Sequence, residues 1–136
     1  MVRDLNLPVR IATVATVRDP DGLALSSRNA RLTPDERTRA LAISRGLRAA
    51  AALLAAGECG AEPLRAAVLA ELSAADLAPE YVALVDPDTL APADDTVDGP
   101  MLLAVAARLG DTRLIDNVTL IPIPQVAATR ARASTP

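Results

Sequence analysis

Met101-Leu102-Leu103-Ala104-Val105-Ala106-Ala107-Arg108-Leu109-Gly110-Asp111-Thr112-Arg113-Leu114-Ile115-Asp116-Asn117-Val118-Thr119-Leu120 decides the fold. Two apolar, β-branched runs flank Gly110-Asp111, a two-residue turn signal, so the stretch reads as an antiparallel hairpin of Met101–Leu109 and Arg113–Leu120. Upstream, Tyr81 to Val85 is a third short strand, ended by Asp86-Pro87. The intervening residues 86–100 are crowded with proline and aspartate and read as a loop. The aspartates at 86, 88, 94, 95 and 98 follow no calcium-loop spacing and read as a solvated surface rather than a cation site.

Two helices precede these strands. Thr33 is a suitable N-cap, Pro34 suits the first helical position, and Glu36 completes a capping box. Ile43, Leu47 and Leu54 then recur at helical spacing, and Gly57 is a stop. A second helix from about Pro63 to Ala75 places Leu64, Val68 and Leu72 on one face. Helix, helix, strand, strand, strand is a small α+β domain, with two helices packed on a three-stranded antiparallel sheet. Its core is expected from about Leu32 to Leu120.

The first thirty residues have another character. Residues 1–6 read as the end of a helix, stopped at Asn6 and Pro8. Val9 to Val17 alternates at period two and reads as a strand. Residues 18–31 are dense in turn formers and read as a polar loop. Beyond Pro122 the chain is rich in Pro, Ala and Arg without periodicity, and reads as a frayed tail.

Composition excludes several classes of function. A net charge of −3 and a single aromatic residue, Tyr81, argue against a nucleic-acid surface. All fourteen cations are arginines, but they are spread along the chain and do not mark fourteen phosphate contacts. No apolar run is long enough for a membrane span, and the N-terminus lacks a signal-peptide pattern, which leads to the expectation of a cytoplasmic protein. One cysteine, Cys59, forms no internal disulfide or metal cluster. With no histidine, any chemistry rests on Ser, Arg, Asp, Glu and backbone groups.

Asp21-Gly22-Leu23-Ala24-Leu25-Ser26-Ser27-Arg28-Asn29 carries the sharpest chemical signal. Two adjacent hydroxyls and a guanidinium fork make a compact anion receptor, and Gly22 frees the backbone to bend. Taken by themselves, the same residues read more simply as a solvated turn ahead of the Thr33 helix. Asp116 and Asn117 read as structural hydrogen-bonding residues. Arg108 and Arg113 read as covering apolar surface or pairing with acids.

The run Asp21–Asn29, preceded by Val14-Ala15-Thr16-Val17-Arg18, resembles the signature of the pantothenate synthetase (pantoate–β-alanine ligase) family. Ala106–Asn117 resembles the same family's C-terminal hairpin. The resemblance covers most of residues 1–120. It implies a nucleotidyltransferase-like enzyme that condenses pantoate with β-alanine at the expense of ATP, accompanied by Mg²⁺, through a pantoyl adenylate. It further implies that Ser26, Ser27 and Arg28 hold ATP phosphates, with Leu25 beside the nucleotide and Val17 and, secondarily, Val14 on the adenine side. Ala15 stands where the family has proline. The resemblance assigns residues 1–25 to the end of an N-terminal Rossmann-like domain, including its last strand, and 26–121 to a C-terminal lid domain; composition alone makes 122–136 a disordered tail.

No catalytic residue is assigned within this chain and no metal ligand. The family's histidine motif, its substrate-holding glutamines and its Lys-Asp pair have no counterpart in these residues, so the chain is expected to be a C-terminal portion, inactive alone. Pantoate and β-alanine would be bound through the N-terminal domain, in a whole enzyme that is a homodimer. Two alternatives stand beside this reading: a non-catalytic fold remnant or interaction module, and a fragment of another nucleotidyltransferase.

Overall fold

The hairpin that anchors the fold closes as its turn residues require. In the computed structural model, which describes residues 1–123, strand β2 (Met101–Leu109) pairs antiparallel with β3 (Thr112–Leu120) from Met101↔Leu120 to Leu109↔Thr112. Gly110, at φ 53°, takes the left-handed conformation that a tight two-residue turn demands and a side chain resists. Strand β1 (Pro79–Val85) pairs antiparallel with the other edge of β2, giving the order β1-β2-β3.

Both helices lie on one face of this sheet, α1 (Pro34–Ala55) against β3 and β2, and α2 (Ala61–Ala74) against β1. The cap of α1 is fully formed: the Thr33 hydroxyl accepts from the Glu36 N–H, and the Glu36 carboxylate accepts from the Thr33 N–H at 2.8 Å. Gly57 follows the helix end at φ 99°. Leu64, Val68 and Leu72 of α2 are fully buried, as their spacing predicts. Strand β3 alternates strictly over its first half, with Thr112, Leu114 and Asp116 buried and Arg113, Ile115 and Asn117 exposed. The core joins Ile43, Leu47, Leu64, Leu84, Leu103 and Leu120, and Leu23 belongs to it as well, ahead of the predicted start at Leu32.

Three expectations change. Residues 9–17 form no strand: Val9, Ile11, Val14 and Val17 are 58–88% exposed, and among the described residues no strand lies alongside them. Alternation supplies two faces, but only a laddered neighbour makes a strand. The 18–31 loop is more ordered than its composition suggests, for Ser27–Arg31 is a 3-10 helix. Residues 1–6 form a single helical turn, with the Leu5 N–H donating to the Met1 carbonyl and Asn6 turning to φ 49°. Of the tail predicted from 122 onward, residues 124–136 lie outside the described residues.

Candidate functional site

Residues 17–25 fold into a small hairpin that leads the Ser-Ser-Arg segment alongside β3, an edge strand of the sheet. The Leu25 N–H donates to the Val17 carbonyl, Arg18 and Ala24 bridge, and the Asp19 N–H donates to the Leu23 carbonyl. Gly22 makes the turn at φ 96°. A Cβ there would fall 2.9 Å from an Arg48 nitrogen, so glycine is required on conformational grounds first and for space second.

Charged side chains fasten this hairpin at two places. Arg37 of α1 reaches both Asp19 and Asp21 at 2.8 Å. The Asp21 carboxyl also accepts from the Leu23 N–H, the main reason that it lies below the usual carboxylate range, with Arg37 adding to the effect. Arg18 makes a bidentate pair with Asp116 of β3, 2.6 Å and 3.0 Å, and also donates to the Gly22 carbonyl at 3.2 Å.

Ser26 follows in extended backbone as the cap of the 3-10 turn. Its Oγ accepts from the Arg28 N–H at 3.2 Å, which leaves its own O–H free to donate outward. Asn29 ties the turn back through Nδ2 to the Ala24 carbonyl, while its buried Oδ1 accepts no hydrogen bond among the described residues. Ser27, Arg28 and Arg31 are exposed, and Arg28 joins no ion pair among the described residues.

Between this loop and β3 lies a cavity of about 310 Å³. Leu25, Ser26, Arg28 and Asn29 face it from the loop, and Asp116 and Asn117 from the strand. Of the residues singled out by sequence, Leu25, Ser26 and Arg28 therefore meet at one opening. Ser27, Val17 and Val14 lie outside its lining, and Val17 enters only through the carbonyl that receives Leu25. Thr16, Asn29 and Asn117 line it without having been singled out as binding residues. The signal for Asp116 was present in the strand pattern: a carboxylate in the inward phase of an alternating strand requires a buried partner.

Arg108 and Arg113 both pair with Glu80, each at 2.7 Å, in accord with their reading as acid-pairing residues. Among the described residues no three His, Cys, Asp or Glu side chains converge to form a metal cage, and no helix is long and apolar enough to cross a membrane.

A family model described as pantoate-beta-alanine ligase matches residues 1–119. The chain belongs to the pantoate–β-alanine ligase family. It is 56% identical over 120 residues to pantothenate synthetase 1 of Bradyrhizobium diazoefficiens, covering 88% of this chain and 42% of that protein. It is likewise 56% identical over 119 residues to the pantothenate synthetase of Myxococcus xanthus, covering 87% of this chain and 41% of the relative. A crystal structure of pantothenate synthetase from Thermus thermophilus superimposes with a TM-score of 0.80 at 39% identity, over 89% of this chain and 44% of that one. The chain thus spans under half the length of the pantoate–β-alanine ligases that it matches. The loop and the partner strand as far as Thr119, Asp116 included, fall inside the family match.

Proposed function

We propose that this chain supplies the phosphate-binding loop of an ATP-dependent pantoate–β-alanine ligase. The observation that carries the reading is the convergence of Ser26, Arg28 and Leu25 on one cavity mouth, on a loop braced from both α1 and β3. In the reaction, a pantoate carboxylate oxygen attacks the α-phosphorus of ATP, and the bond to the bridging oxygen breaks to release pyrophosphate. The amine of β-alanine then attacks the acyl carbon of pantoyl adenylate, loses a proton, and expels AMP.

The loop's contribution is electrostatic. Negative charge builds on the departing pyrophosphate, where preorganised donors act most strongly. The Ser26 hydroxyl, freed as a donor by its role as cap acceptor, and the Ser27 hydroxyl beside it supply hydrogen bonds. Arg28 adds a planar fork with permanent charge, suited to two phosphate oxygens at once. Leu25, 61% exposed, offers apolar surface to the nucleotide, with Val17 and Val14 along the adenine side. Mg²⁺ arrives with ATP.

Pantoate and β-alanine are assigned to the portion of the family fold that these residues do not span. The chain by itself is therefore expected to be inactive, and the working enzyme to be a cytoplasmic homodimer. The test is ATP titration of the complete enzyme, followed by backbone amide resonances. Shifts concentrated on residues 23–31 support the assignment; ATP binding that leaves those amides unmoved refutes it and favours a non-catalytic role for this domain.

A further inference from the structure

We infer that Asp116 is a positioning residue that, acting through Arg18, sets the attitude of the Ser26–Arg28 loop and the width of the cavity beneath it. The inference rests on the reading of that loop as a phosphate binder, and it adds a residue that touches no phosphate.

Asp116 sits in the inward phase of β3, with its side chain only 4% exposed. A carboxylate so placed needs its charge answered and its lone pairs filled. Both oxygens are engaged by the Arg18 fork, and Oδ1 also accepts from the Asn117 N–H at 2.8 Å. Two parallel bonds between planar groups fix orientation as well as distance, which a single point contact does not.

The consequence travels along a short path. Arg18 is clamped to the strand and also holds the Gly22 carbonyl. Ala24 bridges to Arg18, and Asn29 is fastened to Ala24, so the Ser26–Arg28 segment hangs between two points whose positions follow from Arg18. Asp116 and Asn117 form one wall of the cavity, and Ser26, Arg28 and Asn29 form the other. The Arg18–Asp116 pair spans from wall to loop base, so its length sets their separation. The Arg37 clamp does not do this, because Arg37, Asp19 and Asp21 are all outside the cavity lining.

The experiment separates positioning from plain stability. In the complete enzyme, Arg18→Met with Asp116→Leu removes both charges together, so neither is left buried and unpaired. Arg18→Lys keeps the charge without the fork, and Arg45→Gln, which breaks the distant Arg45–Glu71 pair, is the control. Amide hydrogen exchange is followed at Asp19, Gly22, Leu25 and Asn29, and ATP affinity is measured by calorimetry.

The paired variant should exchange at those four amides about tenfold faster, with Leu103 and Val105 unchanged. Its ATP affinity should fall by about tenfold or more, since displaced donors lose most of their effect. Arg18→Lys should fall between it and the control. Unchanged exchange at the four amides, equal acceleration throughout β2, or faster loop exchange with undiminished ATP affinity would each overturn the inference. If ATP leaves the amides of residues 23–31 unmoved in the unaltered enzyme, it is the phosphate-loop reading that fails, and the exchange measurement alone decides the positioning role. Should the paired variant not fold, Asp116→Asn is judged by the same criteria.

Discussion

Gly46 of α1 lies so close to Val68 of α2 that a Cβ at position 46 would sit 3.0 Å from the Val68 Cα and 3.2 Å from its carbonyl oxygen. The neighbour is helix backbone, with Val68 itself fully buried, so it has little room to retreat. In a helix interior alanine is favoured over glycine by about 1 kcal/mol. Overpacking a tight contact costs about 1–3 kcal/mol. Gly46→Ala should therefore destabilise the chain by roughly 1 kcal/mol net, and Gly46→Leu by more, because its branched end must displace α2. Urea unfolding followed by circular dichroism measures this, and a more stable Gly46→Ala would show that α2 shifts freely on α1.

The α1 cap gives a second, independent prediction. Thr33→Ala removes the acceptor for the Glu36 N–H and should cost about 1 kcal/mol. Thr33→Ser should retain most of that stability, since the hydroxyl remains. Equal loss in both variants would assign the effect to the methyl group instead of the cap.

Acid stability follows from four carboxyls. Arg113 and then Arg108 hold Glu80 below its ordinary 4.5. The Thr33 N–H does the same for Glu36. Asp21 and Asp86 lie below 3.8, chiefly through the N–H groups of Leu23 and Thr89. Folded values below the unfolded ones mean that each contribution is complete above the ordinary value. It is lost as pH falls through the lower folded value. Stability should thus decline in acid below about pH 4.5, and less steeply in Glu80→Gln. With no histidine in the sequence, no ordinary side chain titrates just below neutrality, so stability should be flat between about pH 5.5 and 7. A titration step in that interval would contradict the assignment.

The parts of the fold legible in sequence are those specified by neighbours along the chain. Thr33, Pro34 and Glu36 lie within one turn and define the start of α1 on their own. Gly110-Asp111 fixes the hairpin register in the same way. The 9–17 segment carries a strand's alternation at Val9, Ile11 and Thr13, but the described residues offer it no strand to pair with. The Ser27–Arg31 turn carries no clear mark in the sequence, because its cap is a single hydroxyl inside a polar run. The site was legible as a list of residues but not as an arrangement. Arg18 and Asp116 are 98 positions apart, and nothing local to either names the other. Only the inward phase of Asp116 in β3 pointed to a missing cation.

Arg28 and Arg31 share one 3-10 turn, and removing each in turn tests whether Arg28 binds phosphate. Pyrophosphate release should be measured in the complete enzyme with pantoate and ATP, before β-alanine is added. Arg28 lines the cavity with Ser26, and removing a donor aimed at transition-state charge costs about 10²–10³ in rate. Arg31 is exposed and outside the cavity lining, where an ion pair contributes about 0–1 kcal/mol. Arg28→Lys should recover only part of the loss, since an ammonium keeps the charge but not the fork. Arg28→Ala should be slower by about two to three orders of magnitude and Arg31→Ala close to the unaltered enzyme. Equal slowing by both substitutions, or by neither, would contradict phosphate binding by Arg28.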